Sequence, residues 1–135
     1  MIKKSTKISI PFYDVDRLKV VWFGNYFKYF DVARSLLLKK IKYDIIEMEK
    51  DGYTWPVIET NCKFKKYLKY KDKIEISASI SEYKYKLKID YLIKKNKKVV
   101  AQAYTIQIPI SNKNNKILNM CPKNFIKAIE KFKKW

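Results

Sequence analysis

The sequence predicts an α+β domain in which one long, mostly apolar helix precedes a run of antiparallel strands and a short C-terminal helix. Apolar residues recur with helical spacing from Asn25 to about Ile41, and after Tyr53 the period changes to two. Helices and strands that are segregated along the chain are typical of α+β domains. With 135 residues, 47% of them hydrophobic, the chain can bury one core, so residues 1–135 are predicted to form a single domain.

The N-terminal half is predicted to contain one strand, one loop and the long helix. Ile8, Ile10 and Phe12 alternate over residues 7–13, which favours a strand with these three side chains inward. Residues 14–22 form the loop that follows. The buried stripe of the helix is predicted to consist of Tyr26, Phe30, Ala33, Leu37 and Ile41.

The rest of the chain is predicted to be a short helix, a meander of strands and a tail helix. The short helix covers residues 43–50 and ends at Gly52, a helix stop signal. Asn96-Lys97 is the predicted turn between two of the strands, and Pro122 starts the tail helix. The predicted strands cover 53–60 and 61–68 (separate, or one bent strand with Pro56 at its start or edge), 74–80, 87–93 and 100–110.

The residue types exclude several classes of site. The chain has no histidine and two cysteines, Cys62 and Cys121, that lie far apart. Zinc sites of the Cys/His type, Ser-His-Asp triads and Cys-His pairs are therefore excluded, and we expect neither a metal nor a cofactor. No apolar run is long enough to span a membrane. The basic N-terminus is followed by an alternating strand pattern and not by an apolar signal segment, so we expect a cytoplasmic protein.

The net charge of +18 has two interpretations. It could reflect selection for an anionic partner such as nucleic acid, anionic lipid or an acidic carrier protein. It could equally reflect a general lysine bias, because only Arg17 and Arg34 are arginines and the lysines are spread evenly. Nucleic-acid readers usually use arginine forks, so we do not expect a nucleic-acid partner.

Two acids, Asp14 and Asp16, stand between the first strand and the long helix. Turn formation and helix capping are common roles for aspartate at such positions. However, Asp16 is nine residues before Asn25, too far to cap that helix, and the segment 18–23 between them is apolar. Asp16 could therefore face a dry pocket and act as a nucleophile or as a general base on water.

The start of the long helix supplies the complementary half of a site. Backbone N–H groups around Phe23 to Tyr26 are predicted to lack helical partners, and the helix dipole adds positive potential there. Such donors stabilise the negative charge that develops on a carbonyl oxygen during acyl transfer. The nearby aromatic residues could line an acyl pocket or simply form core; they are Trp22, Phe23, Phe27 and Phe30.

In this region the chain resembles hotdog-fold acyl-CoA thioesterases of the 4-hydroxybenzoyl-CoA thioesterase / YbgC-like group. The matching signature is an aromatic residue, an acid, any residue, a second acid, a short apolar stretch and Asn-Tyr at the helix start. It is carried by Tyr13, Asp14, Asp16, Val20, Val21, Asn25 and Tyr26. Further matches lie downstream at Phe30, Ala33-Arg34, Pro56-Val57-Ile58, Tyr70-x-Asp72-x-Ile74, Ala101-x-Ala103-x-Thr105 and 117–122.

The resemblance implies a helix wrapped by a five- or six-stranded antiparallel sheet and a homodimer or homotetramer with its active sites between subunits. It implies hydrolysis of an acyl-CoA thioester, with Asp16 as the catalytic carboxylate and the N–H groups of Phe23 and Gly24 at the oxyanion. The substrate-binding residues that it implies are Val21, Asn25, Tyr26, Lys84 and Lys86. Alternatives are a thioesterase for acyl carrier protein and a non-catalytic basic protein that binds an anionic partner.

Three positions depart from the pattern of this family. Lys19 occupies a place where many relatives have glycine, and a positive φ angle there would strain a lysine. Phe23 replaces a histidine that YbgC-type relatives often carry, and Tyr67 replaces a common proline. A dehydratase on the same fold is not expected, because that chemistry is associated with a histidine.

Overall fold

The computed structural model describes residues 2–133, so Met1, Lys134 and Trp135, at the ends of the predicted domain, lie outside the described residues. The helices are α1 (Asn25–Lys40), α2 (Ile45–Asp51) and α3 (Lys123–Lys133). The strands are β1 (Lys3–Ser9), β2 (Tyr53–Thr54), β3 (Val57–Phe64), β4 (Lys73–Glu82), β5 (Leu87–Lys95), β6 (Lys98–Gln107) and β7 (Ile110–Ser111).

Five strands form one antiparallel sheet in the order β1-β4-β5-β6-β3, and β2 pairs with β7 in a separate ribbon. The predicted five- or six-stranded antiparallel sheet is confirmed in its five-stranded form. Helix α1 lies across the inner face of this sheet. Strands β1 and β3 are its two edges, and the residues that join β1 to α1 lie at the end of the sheet where β4 begins, since Ser9 pairs with Lys73.

Helix α1 buries the stripe that its spacing predicts, since Tyr26, Phe30, Ala33, Leu37 and Ile41 are each at most 3% exposed. The helix packs on alternating inward side chains of β4 and β5, and the ring of Phe30 lies 4.9 Å from that of Tyr91 on β5. The inward small residues Ala78 and Ala101 are fully buried, which lets the helix approach the sheet closely.

The first strand differs from its prediction. It spans Lys3–Ser9, earlier than residues 7–13, and Phe12, predicted to point inward, is 73% exposed. Pro11 explains the difference, because it has no N–H to continue the ladder and its φ of −79° leads into a 3₁₀ turn over Phe12–Asp14. Strand pairing therefore ends before Phe12 reaches the core.

The region around residues 43–68 folds close to its prediction. Helix α2 begins two residues later than predicted, where the Asp44 side chain accepts a hydrogen bond from Ile46 N at 3.1 Å. It stops at Gly52, whose φ of 91° is left-handed. The predicted strand bounds are wrong here: Pro56 separates β2 from β3, β3 continues through the predicted boundary at 60/61, and residues 65–68 are not part of a strand.

The C-terminal elements also follow the sequence pattern. The predicted turn at Asn96-Lys97 has two left-handed residues, with φ angles of 52° and 67°. Helix α3 starts directly after Pro122 and buries Phe125, whose ring lies 4.9 Å from Trp55 and 5.3 Å from Tyr43. Among the described residues, no helix combines the length and the apolar character that crossing a membrane requires.

A buried hydroxyl pair lies in the core below α1. Tyr91 is 2% exposed, and its hydroxyl lies 2.9 Å from the Thr105 hydroxyl on β6. Burial raises the pKa of Tyr91 from its ordinary value of 10.0 to about 12. An unfolded tyrosine thus ionises at lower pH than the folded one, so stability is fully present below pH 10 and is lost as pH rises towards 12.

We expect Tyr91→Phe to flatten this alkaline loss of stability. Above pH 10, the free energy of unfolding of the variant should decrease with pH less steeply than that of the wild type. The difference between the two slopes should be about 1.4 kcal/mol per pH unit. At neutral pH the variant should be about 1 kcal/mol less stable, because the hydrogen bond with Thr105 is lost. Urea unfolding up to about pH 12 measures both effects, with exposed Tyr85→Phe as control. An alkaline slope equal to that of the wild type would contradict the assignment.

Candidate active site

The segment from Asp14 to Trp22 is a small hairpin and not an open loop. Val15 and Val21 form an antiparallel bridge, and Asp16 N donates to Val20 O at 3.0 Å. Lys19 closes the turn by donating to Asp16 O at 2.9 Å, with a φ of 66°. The turn therefore places Lys19 in the left-handed conformation, which for lysine costs about 1 kcal/mol or more.

Asp14 is the buried acid of the pair. It is 2% exposed, and its carboxylate accepts hydrogen bonds from the Lys28 ammonium at 2.5 Å and the Tyr29 hydroxyl at 2.6 Å. Burial and the hydrogen bond to Asp14 raise the pKa of Tyr29. Both donors come from α1, so Asp14 is held against the helix by charge and hydrogen bonding, with one donor on each carboxylate oxygen.

The backbone of Asp14 completes the link between hairpin and helix. Its carbonyl oxygen accepts from Trp22 N at 3.1 Å and from the Asn25 side-chain amide at 2.9 Å. Asn25 therefore does not cap α1 with its side chain but fixes the hairpin to the first residue of the helix. The substrate-binding role predicted for Asn25 is left without direct support, since its amide is already engaged.

Asp16 is only half-buried, and its carboxylate makes one hydrogen bond, from Leu18 N to Oδ1 at 2.8 Å. Oδ2 has no hydrogen-bond partner within residues 2–133. The dry pocket expected from the apolar segment 18–23 is absent from this protomer, because Leu18 is 80% exposed. The turn-forming role of aspartate is thus real, but it occupies one oxygen and leaves the other available.

The start of α1 presents two free donors. Asn25 N donates to Trp22 O at 2.9 Å and Tyr26 N to Phe23 O at 3.2 Å, so these N–H groups are occupied. The N–H groups of Phe23 and Gly24 have no acceptor in the described part of the chain. The predicted range of free donors, Phe23 to Tyr26, therefore narrows to its first two residues.

A close contact explains the glycine at position 24. Its backbone is right-handed helical, with φ −62° and ψ −27°, so conformation alone would allow any residue. A Cβ atom at Gly24 would lie 2.2 Å from Cζ3 of Trp22. The glycine thus lets the half-exposed Trp22 ring cover the helix start beside the two free N–H groups.

Aromatic side chains extend from the helix start towards β3. The Phe23 ring lies 6.5 Å from Phe64 on β3, and Tyr26 lies 4.8 Å from the same ring. Burial raises the pKa of Tyr26 to about 12, so this residue is neutral at physiological pH. Phe30 is core, as the packing interpretation predicts, whereas Trp22 and Phe23 are 49% and 62% exposed and present an apolar surface.

The remaining predicted binding residues lie in different places. Val21 is 5% exposed and anchors the hairpin through Val21 N to Leu68 O at 2.8 Å, so it supports the site without lining it. Lys84 and Lys86 follow the far end of β4, whereas Asp16 lies near its start. They therefore lie at the opposite end of β4 from the hairpin within one protomer.

Together, these groups form a carboxylate oxygen, two unoccupied N–H donors and an apolar surface at one end of the sheet. Prediction from sequence missed the Lys28 and Tyr29 contacts that make Asp14 structural. The sequence feature that could have revealed these contacts is Lys28, a lysine one turn into an otherwise apolar helix start that follows a motif with two acids. It also missed Phe64, whose place beside the helix start depends on strand pairing.

Comparison with known proteins agrees with the architecture. The family model of the thioesterase-like superfamily matches residues 10–130. A protein of Aquifex aeolicus (strain VF5), provisionally named an esterase, is 28% identical over 122 residues, which cover 90% of this chain and 93% of that protein.

Solved structures with the same architecture include enzymes named for thioester hydrolysis. A DHNA-CoA thioesterase from Staphylococcus aureus is 25% identical, with a TM-score of 0.87 over 99% of this chain and 93% of the other. A 4-hydroxybenzoyl CoA thioesterase mutant, complexed with 4-hydroxybenzoyl CoA, shares the fold with a TM-score of 0.83 at 18% identity, over 95% of this chain and 99% of the other. The hotdog fold implied by the resemblance is confirmed, and the chain belongs to the thioesterase-like superfamily.

Proposed function

We propose that this thioester hydrolase acts on an acyl-CoA, with Asp16 as nucleophile or general base and the N–H groups of Phe23 and Gly24 as oxyanion donors. The observation that carries the proposal is the pair of unoccupied N–H groups at the start of α1, beside the hairpin that holds Asp16. Prearranged donors at such a position stabilise the negative oxygen of a tetrahedral intermediate by a few kcal/mol each.

The chemistry is compatible with a chain that has no histidine. Attack by Asp16, or by water that Asp16 deprotonates, forms the new C–O bond while the carbonyl electrons move to the oxygen. Collapse of the intermediate breaks the C–S bond and releases a thiolate. Where Asp16 itself attacked, water then hydrolyses the mixed anhydride, which releases the free acid and restores the Asp16 carboxylate. Alkyl thiols have a pKa of about 8.5, so a thiolate leaves near neutral pH without a general acid. One carboxylate and two N–H donors are therefore sufficient.

We further propose that the active protein is a homodimer paired through β3. The two edges of the sheet differ in composition: β1 carries Lys3, Lys4 and Lys7, whereas β3 exposes Val57 and Ile58. Lysines on an edge strand prevent pairing with another chain, and an apolar edge favours it. Pairing of two β3 strands would also cover the exposed aromatic surface beside Asp16 and supply the dry environment that one protomer lacks.

Lysines on the outer face of the sheet, at the end where β4 begins, are candidates for binding the phosphates of CoA. Lys7, Lys73, Lys94 and Lys97 line a groove of about 630 Å³ at the same end of the sheet. Lys84 and Lys86 would reach that end from the partner subunit, because antiparallel β3 pairing reverses the strand direction. The same positive charge favours an acidic acyl carrier protein, which remains the second candidate substrate.

Asp16 and Asp14 should respond differently to removal of charge. We expect Asp16→Asn to lower kcat about 10³-fold with little change in stability, because its side chain makes one exposed hydrogen bond. Asp14→Asn should lower stability by about 1–3 kcal/mol, because it weakens the buried contacts with Lys28 and Tyr29.

Thiol release from an acyl-CoA panel and thermal unfolding, with Asp90→Asn on the outer sheet face as control, measure these effects. Full activity in Asp16→Asn would overturn the assignment of this residue. If the wild type hydrolyses no thioester, the non-catalytic binding alternative gains support.

The β3 edge should determine assembly. We expect the wild type to sediment as a dimer or larger assembly, and Ile58→Glu to sediment as a monomer with at least tenfold lower kcat/KM. Ile58 is the second residue of β3, and a charge placed there must be desolvated when two such strands pair. Sedimentation and activity are measured together, with Ser5→Glu on β1 as control. A fully active wild-type monomer would exclude the dimeric site.

Salt should separate the two substrate classes. Hydrolysis of an acyl carrier protein substrate should fall steeply as ionic strength rises, because attraction between two extended charged surfaces is screened. Hydrolysis of the same acyl group on CoA should fall much less. Initial rates on matched acyl-CoA and acyl-carrier substrates across a salt series provide the measurement. Higher kcat/KM on the carrier at every salt concentration would replace CoA by the carrier as the preferred substrate.

A further inference from the structure

A groove beside the middle of α1 contains buried polar atoms that the catalytic proposal does not use. It has a volume of about 580 Å³ and lies between α1, α2 and the residues that join β2 to β3. Three buried side-chain polar atoms within residues 2–133 lack a hydrogen-bond partner: Arg34 Nη1, Trp55 Nε1 and Gln107 Oε1. All three residues line this groove.

The burial of these residues makes the missing partners significant. Gln107 is 5% exposed and Trp55 is 7% exposed. A buried polar atom without a partner costs about 1–3 kcal/mol, and such atoms are rare in native proteins. Three of them around one groove therefore indicate a position where a polar group from outside the chain is bound.

Neighbouring contacts hold two of the three side chains in place. Gln107 Nε2 donates to Trp55 O at 2.7 Å, which leaves Oε1 as the free acceptor. Arg34 Nη2 donates to Asp31 Oδ1 at 2.6 Å, which leaves Nη1 as a free donor. Arg34, Trp55 and Gln107 thus bring two unpartnered donors and one unpartnered acceptor to the lining of the groove, and neither Arg34 nor Gln107 can rotate its side chain without breaking a contact.

A hydroxyl group matches this set better than other common acyl substituents. Its oxygen accepts two hydrogen bonds and its O–H donates one, so it can pair with two donors and one acceptor. A carboxylate only accepts and would face the Gln107 oxygen with like partial charge. A methyl end would leave all three atoms unpaired. Leu38, Met48 and Pro56 also line the groove and suit the apolar part of an acyl chain.

The part of α1 that lines the groove includes Asp31, Arg34 and Leu38, and helical spacing extends this stripe towards the helix start. Gly24, Phe27, Asp31, Arg34 and Leu38 follow one stripe of the helix. The ten residues from Gly24 to Arg34 correspond to an axial rise of about 15 Å, which is close to the length of an extended twelve-carbon chain.

We propose that this groove binds the hydroxyl-bearing end of a long acyl chain, and that Arg34 and Gln107 are specificity-determining residues for hydroxyacyl thioesters. The proposal rests on the thioesterase function above and adds to it a substrate class. A site that hydrogen-bonds a substrate hydroxyl disfavours the analogue that lacks it, because its buried polar groups are then left unpaired.

The test compares ω-hydroxydodecanoyl-CoA with dodecanoyl-CoA. We expect the wild type to show at least a tenfold higher kcat/KM on the hydroxylated substrate, and Gln107→Leu to reduce that ratio to near one. The matched control is Gln102→Leu, the same substitution on the exposed face of the same strand, which should keep the wild-type ratio. If Gln107→Leu does not fold, Arg34→Met on the half-buried side of α1 is expected to give the same loss.

Calorimetry with free ω-hydroxydodecanoate and dodecanoate separates this proposal from the catalytic one. Tighter binding of the hydroxylated acid, lost in Gln107→Leu, supports the subsite even if no thioester is hydrolysed. Equal hydrolysis and equal binding of both chains overturn it while the thioesterase function stands, and indicate that water satisfies the three atoms. A preference for 4-hydroxybenzoyl-CoA over ω-hydroxydodecanoyl-CoA would also overturn it, because the aryl hydroxyl lies too close to the thioester.

Discussion

The buried carboxylate of Asp14 is the contact on which the candidate site depends. Burying a charge is costly unless it is paired and hydrogen-bonded, and Asp14 is both, through Lys28 and Tyr29. Because these partners belong to α1 while Asp14 belongs to the hairpin, the contact determines where the hairpin lies relative to the helix start. The Lys28 side chain is 50% exposed, so its own charge keeps contact with water and most of the desolvation falls on the carboxylate.

This contact assigns different roles to two acids that look alike in sequence. Asp14 is buried and accepts a hydrogen bond on each carboxylate oxygen, so its contacts hold the loop against α1. Asp16, two residues on, extends from the hairpin with one oxygen in a turn and the other unpaired. The positive φ of Lys19 belongs to the same arrangement, because the turn that presents Asp16 requires it. The strain is confined to the turn.

Periodicity predicted the helices, the sheet and the buried stripe of α1, because burial of one face imposes the same spacing that the sequence displays. It failed at Phe12, where Pro11 ends the strand before the apolar side chain can turn inward. The sequence pattern was also wrong about the surroundings of Asp16. The apolar residues over 18–23 predicted a pocket without water, but Leu18 is exposed. The sequence shows that a side chain is apolar. It does not show whether that side chain is buried by its own chain or by a second subunit, because this depends on how the protein assembles.

Assembly also gives a physical reason for the incomplete site. A hotdog protomer has one layer of sheet around one helix, so the helix start and the apolar edge β3 lie at its boundary. Pairing through β3 would enclose Phe23 and Phe64 and raise the electrostatic effect of the two free N–H groups by excluding water. Arg34 and Gln107 line the groove beside the middle of α1. If both proposals hold, the polar atoms unpaired in this groove and the donors unoccupied at the helix start would be two ends of one binding path, and the substrate would supply the partner that each of them lacks within residues 2–133.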